Sequence, residues 1–98
     1  MAFKAILELT LKKESLDAAR DVVHKILADT RSFEGCEGVD VLIDASDDAH
    51  WLVIETWQSE QHDAAYRTWR AGPGAITELA PLLAAAPVLT KGTVDSAV

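Results

Sequence analysis

Residues 3–11 (FKAILELTL) alternate: Phe3, Ala5, Leu7, Leu9 and Leu11 fall on one side of an extended chain, and Lys4, Glu8 and Thr10 on the other, with Ile6 among them. A period of two predicts a strand. From Ser15, suited to cap a helix, Leu16, Ala19, Val23, Ile26, Leu27 and Thr30 recur at helical spacing. Asp17 suits the positive end of that helix, and Asp21 pairs one turn on with Lys25. The helix is expected to stop before Gly35, in the loop Phe33-Glu34-Gly35-Cys36-Glu37-Gly38. Val39 to Ile43 alternates again, with Val39, Val41 and Ile43 against Asp40 and Leu42. Asp44 to Asp48 is turn-forming, and His50 to Gln58 (HWLVIETWQ) is a second β-branched and aromatic run, so the two make a hairpin. Ser59 caps a second helix opening at Glu60-Gln61, with Asp63 and Arg67 spaced to pair, and Ala71-Gly72-Pro73-Gly74 breaks it. Ile76 to Ala85, rich in Ala and Leu, predicts a short third helix bounded by Pro87, and Val88 to Val94 a last strand.

The order is β-α-β-β-α-(α)-β. With right-handed crossovers this is an α+β, ferredoxin-like arrangement: a four-stranded antiparallel sheet with helices on one face. The third strand is apolar on both sides, with Trp51, Val53 and Trp57 on one and Leu52 and Ile54 on the other; Ile6 and Leu42 repeat this in the first two strands. A solvated face reads polar. Helices cover only one face, so a second copy of the sheet is the simplest cover for the other, and a homodimer is expected.

Composition narrows the function. The 98 residues fit one domain, 1–98, with a thin core. Sixteen acidic against nine basic side chains give a net charge of −7, and the basic residues are scattered, which argues against nucleic acid and anionic lipid as partners. One cysteine excludes an internal disulfide and a Cys-based zinc site, and three dispersed histidines predict no metal site. No apolar run approaches the ~20 residues of a membrane span and the start lacks signal-peptide features, so a cytoplasmic protein is expected. The chain contains no asparagine.

The first strand and its amphipathic helix, the loop 33–38 entering the second strand, and Glu55-Thr56-Trp57 followed by Ser59-Glu60 carry a resemblance over roughly residues 3–94. The chain resembles the antibiotic biosynthesis monooxygenase (ABM) group of the dimeric α+β barrel superfamily. The resemblance implies a homodimer with the two sheets face to face. It also implies oxidation of electron-rich phenols or anthrones to quinones by O₂ without metal or flavin, in a cavity between sheet and helices. Trp57 matches the family's Trp; Tyr66 stands where many relatives carry a His, and Val53 where monooxygenase members use an Asn. Haem-degrading relatives rely on an Asn-Trp-His set, which a chain without asparagine does not supply.

His62, Tyr66 and Trp69 fall at i, i+4 and i+7 on one face of the second helix, and Trp57 lies just before it. Together they suit a flat aromatic ligand, with His62 taking a phenolic proton and Tyr66 stabilising the oxyanion that develops. A stripe of this kind is more often core packing than a pocket, and His62, in the first turn, is as readily solvent-exposed as catalytic. Glu55 shares a strand face with Trp57 and Val53; it is either a base or acceptor in the cavity, or a structural carboxylate paired with an arginine. Arg67 and Arg70 are expected as helix-surface charges, His24 and His50 as surface residues, and Cys36 as unreactive. The candidates are therefore His62 and Tyr66 as catalytic residues, with Trp57, Trp69, Glu55 and Val53 binding a small aromatic molecule. A non-enzymatic binding or sensing dimer is the alternative.

Overall fold

The computed structural model describes residues 2–98. Strands β1 (Phe3–Thr10), β2 (Cys36–Ile43), β3 (His50–Trp57) and β4 (Val88–Thr93) form one antiparallel sheet in the order β2-β3-β1-β4. Helices α1 (Leu16–Ser32) and α2 (Glu60–Arg70) supply the crossovers, completing the expected β-α-β-β-α-β ferredoxin-like fold. Single 3₁₀ turns lie at Lys13–Ser15 and Ala80–Leu82.

The first three strands and α1 follow from their side-chain periodicity. In α1, Ala19, Val23, Leu27 and Thr30 are the buried positions, one per turn, and Arg31 and Asp17 sit at the helix ends that favour their charges. In β3 burial alternates strictly, with Trp51, Val53, Glu55 and Trp57 inward. Ser59 caps α2 by accepting from the His62 N–H at 3.2 Å. The turn into β2 needs Gly35 at φ +87°: a Cβ there would also lie 2.2 Å from the His62 ring, so the ring fills the space that glycine leaves open.

Two elements differ from expectation by more than one residue. The predicted helix over 76–85 is reduced to the 3₁₀ turn Ala80–Leu82, because Pro81 stands inside it, lacks an N–H and blocks the preceding turn. β2 begins at Cys36, ahead of Val39, through a register irregularity between Cys36 and Gly38. The Cys36 side chain is therefore half-buried and packs against both core clusters. Burial pushes its thiol up from the usual range, in keeping with an unreactive cysteine.

The covered face of the sheet carries two clusters. One is aliphatic, built on Leu9, Leu11, Ala19, Val23, Leu27, Val39, Trp51 and Val53; the other is aromatic, built on Phe3, Trp57 and Tyr66 over Ala5. Glu55 lies between them, flanked along β3 by Val53 and Trp57. The opposite face presents Ile6, Leu52, Ile54 and Leu42, and Leu42 is 54% exposed. No helix is long and apolar enough to cross a membrane among the described residues.

His50, expected at the surface, is half-buried on this open face and uses both ring nitrogens. Nδ1 meets Asp44 Oδ2 at 2.9 Å, and Nε2 meets Glu8. Hydrogen bonding to Asp44, then to Glu8, raises the His50 pKa; bonding to His50 and to the Ser46 N–H lowers Asp44 to about 2. The His50 contribution to stability is complete below its unfolded value of 6.5 and lost as pH rises through the raised folded value. That of Asp44 is complete above its unfolded 3.8 and lost as pH falls through about 2. Urea unfolding at stepped pH should therefore show stability falling on both sides of a plateau, with His50→Gln flattening the alkaline decline. An unaltered alkaline decline in that variant would refute this role for the triad.

Candidate active site

A cavity of about 150 Å³ opens between the sheet and both helices, floored by Leu7, Leu9 and Val53 and walled by Val23, Ile26 and Leu27 of α1. Its polar lining comes from Glu55, Tyr66, Arg67 and Arg70. It lies where the aliphatic and aromatic clusters meet, which is the place Glu55 occupies on β3.

Glu55 is 2% exposed, and a bare carboxylate there would be strongly destabilising. Arg67 Nη2 donates to its Oε1 at 2.5 Å, and the Trp57 indole N–H donates to the same oxygen at 3.0 Å. Among the described residues nothing donates to Oε2. Arg67 also meets Asp63 Oδ1, through Nε at 3.2 Å and Nη2 at 3.1 Å. The other Asp63 oxygen, fully buried, has Lys91 Nζ at 3.5 Å as charge partner but no hydrogen bond. Glu55 and Lys91 both sit beside Ala5 in the sheet register. That small side chain leaves room for α2 to lower its two charged residues onto the strands.

Arg67 and Arg70 are thus not the helix-surface charges expected; both turn inward, because buried acceptors need donors. Arg70 Nε donates to the Tyr66 hydroxyl at 2.7 Å, Nη2 to Ile26 O at 3.0 Å, and Nη1 to Gly74 O at 3.1 Å. The Tyr66 hydroxyl lies 2.7 Å from Thr30 Oγ1, which also accepts from Arg70 and lies 3.3 Å from the Ile26 carbonyl. One assignment satisfies every group: Tyr66 accepts from Arg70 and donates to Thr30, and Thr30 donates to Ile26 O. The Tyr66 ring carries Arg67 at 5.0 Å and Arg70 at 5.1 Å from its centroid.

The six expected site residues divide. Val53, Glu55 and Tyr66 line one cavity. Trp57 does not line it: fully buried, it lies 5.0 Å from Tyr66 between ring centroids and acts on the cavity through its bond to Glu55. Trp69 packs over Gly74, 6.2 Å from Tyr66 between centroids, and lines a separate surface pocket with Ile26 and Ile76. His62 does not line the cavity either; its Nδ1 lies 2.6 Å from Ser59 Oγ and its ring rests on Gly35. The expected aromatic wall is a packed cluster completed by Phe33, whose ring lies 5.3 Å from Tyr66 and 6.2 Å from Trp57. Thr30, expected only as part of the α1 stripe, and Phe33, expected only in the loop after it, join the site through their contacts to Tyr66.

A model of the antibiotic biosynthesis monooxygenase family matches residues 2–84, and the chain belongs to that family. Solved structures share its fold. A conserved protein from Methanosarcina mazei Go1 superposes with a TM-score of 0.82 at 14% identity, over 94% of this chain and 91% of that one. Rv0793 from Mycobacterium tuberculosis gives 0.72 at 19% identity over the whole of both chains. A structure described as an antibiotic biosynthesis monooxygenase gives 0.79 at 19%, over 95% and 98%. No curated protein matches the chain significantly.

Removing one member of a buried ion pair strands the other, at a cost of about 3–5 kcal/mol. Arg67→Met should lower the unfolding free energy at neutral pH by about that amount, and the double variant Arg67→Met/Glu55→Gln should recover part of it. A double-mutant cycle by urea denaturation measures this, and strict additivity would refute the pairing.

Proposed function

We propose that this protein is a cofactor-independent monooxygenase-like enzyme, oxidising a small phenol or quinol with O₂ in the cavity between the sheet and the helices. The observation that carries the reading is Glu55: a buried carboxylate with Oε1 held by Arg67 and Trp57, lining an otherwise largely apolar cavity. Its other oxygen is free to accept a phenolic hydrogen. A volume of about 150 Å³ matches an apolar cavity that takes up benzene, which favours one aromatic ring over a tricyclic anthrone.

Transfer of the phenolic proton to Glu55 leaves an electron-rich phenolate. The Arg67 and Arg70 guanidiniums lining the same cavity stabilise that charge. The phenolate gives up electrons to O₂, one oxygen atom enters the ring, and the other leaves as water: for phenol itself, C₆H₆O + O₂ gives C₆H₄O₂ + H₂O. Tyr66 acts by holding Arg70 in place, since its own hydroxyl hydrogen goes to Thr30. Homodimerisation through the open face belongs to the same reading and rests on its half-buried Ile6, Leu52 and Ile54.

The alternative, a binding or sensing dimer without turnover, is favoured by one observation: His62, the expected base, is tied to Ser59 and Gly35 away from the cavity. Oxygen uptake with one-ring and two-ring phenols and quinols, with chelator present and no flavin added, separates the two. Quinone formation that falls at least 100-fold in Glu55→Gln supports the enzyme. Ligand-induced tryptophan quenching without oxygen uptake sinks it in favour of the binding protein. Light scattering at micromolar concentration should give twice the 10.6 kDa chain mass, and Leu52→Lys/Ile54→Lys should give the monomer. A wild-type monomer would overturn the dimer.

A further inference from the structure

The Glu55 cavity shares part of its lining with a groove of about 250 Å³ on the outer surface, between α1 and the segment that follows α2. Ile26, Arg70 and Ile76 line both spaces. These three side chains therefore stand between the interior and the groove. The groove is the more polar of the two: it adds the charges of Lys25, Asp29 and Glu78, and Trp69 is its one aromatic side chain.

Two of the three shared residues are fixed by the fold. Arg70 gives its donors to the Tyr66 hydroxyl, to Thr30 Oγ1 and to the carbonyls of Ile26 and Gly74. Ile26 lies within α1, whose backbone sets its position. Ile76 belongs to neither a helix nor a strand and is 37% exposed. Among the described residues, the backbone N–H groups of Ile76, Thr77 and Glu78 donate to no backbone carbonyl. Lys25 and Glu78 tie this segment to α1 at 3.3 Å, but both side chains are largely exposed, so the restraint is weak. Ile76 is thus the least constrained part of the partition.

We propose that Ile76 is the specificity-determining side chain of the Glu55 cavity: it closes the inner space off from the groove and limits the ligand to a monocyclic phenol. The proposal rests on the cavity being the ligand site and not on oxidation taking place there. An inner space of about 150 Å³ holds one ring. A fused second ring needs more room, and the groove beyond Ile76 is the adjoining space. Truncating Ile76 joins the two, and the second ring then lies beside Trp69, whose own ring rests over Gly74. One methylene more or less in a hydrophobic pocket changes discrimination by about 10- to 200-fold, so a single isoleucine suffices to set the choice.

The test measures binding, by NMR titration of the ¹⁵N-labelled protein with phenol and with 2-naphthol, so that turnover plays no part. In the wild type, phenol should shift amides around Glu55 and Tyr66. Ile76→Ala should raise the affinity for 2-naphthol relative to phenol by about tenfold or more, and 2-naphthol should then move the Trp69 indole N–H signal. Leu79→Ala widens the same cavity at a residue that does not line the groove, and should leave that ratio close to the wild-type value. Since Ile76 lies outside any helix or strand, its variant should keep the wild-type spectrum elsewhere. If it does not, Ile76→Val, one methyl smaller, decides by a smaller change of the ratio in the same direction. A ratio unchanged in Ile76→Ala, or changed equally in Leu79→Ala, overturns the role of Ile76 and leaves the cavity reading standing. Phenol that fails to perturb the Glu55 and Tyr66 region of the wild type overturns the cavity reading and this proposal with it.

Discussion

Glu55 carries a charge into the interior of a small core, and charge burial of that kind is tolerated only with a close counter-charge and filled hydrogen bonds. Arg67 meets the first need and Trp57 part of the second. The arginine in turn requires α2 to lie across β3 and β1 at one height and one rotation, which brings in Asp63 from the preceding turn and Lys91 from β4. Three secondary-structure elements are thereby tied at a single point. Ala5 beneath that point has so little volume that the charges approach the strands without displacing them.

Tyr66 and Arg70 make the corresponding tie between the helices. Arg70 reaches from α2 to Ile26 and Thr30 of α1, and its other arm takes the carbonyl of Gly74 beyond the end of its own helix. The cavity is what remains between the two ties. Its apolar walls belong to the strands, to α1 and to Ile76 and Leu79 beyond α2, while its charged lining consists of groups already committed to holding the fold. The side chains that line the cavity are therefore also those that hold the fold, so a substitution at Arg67 or Tyr66 changes the cavity and the stability together.

Strand and helix periodicity made the element order legible in the sequence, because every strand but β4 has a clean inward face and α1 a clean stripe. The exception, residues 76–85, shows composition misleading: Ala and Leu favour a helix, but one proline in the interior is decisive. The site was legible in part. The spacing of Glu55 and Trp57 placed both on one face of β3, and their shared face lets the indole fix the carboxylate. The direction of a long side chain is not written in helical spacing, so Arg67 and Arg70 read as surface charges until the buried acceptors opposite them were located. His62 failed as a cavity residue for a local reason: Gly35, distant in sequence, leaves a space that the ring occupies.

The strand order β2-β3-β1-β4 puts the first strand of the chain in the middle of the sheet. Phe3 pairs with Trp57 on one side and with Thr93 on the other. Such pairings close very long loops, which slows folding relative to a helical chain of this size. On a ribosome, the inner strand is made first and stays without one edge partner until residues near 90 emerge. Asp63 likewise lacks its second cation until Lys91 arrives. The nascent chain therefore carries a central strand with one edge unpaired for most of the elongation from β1 to β4.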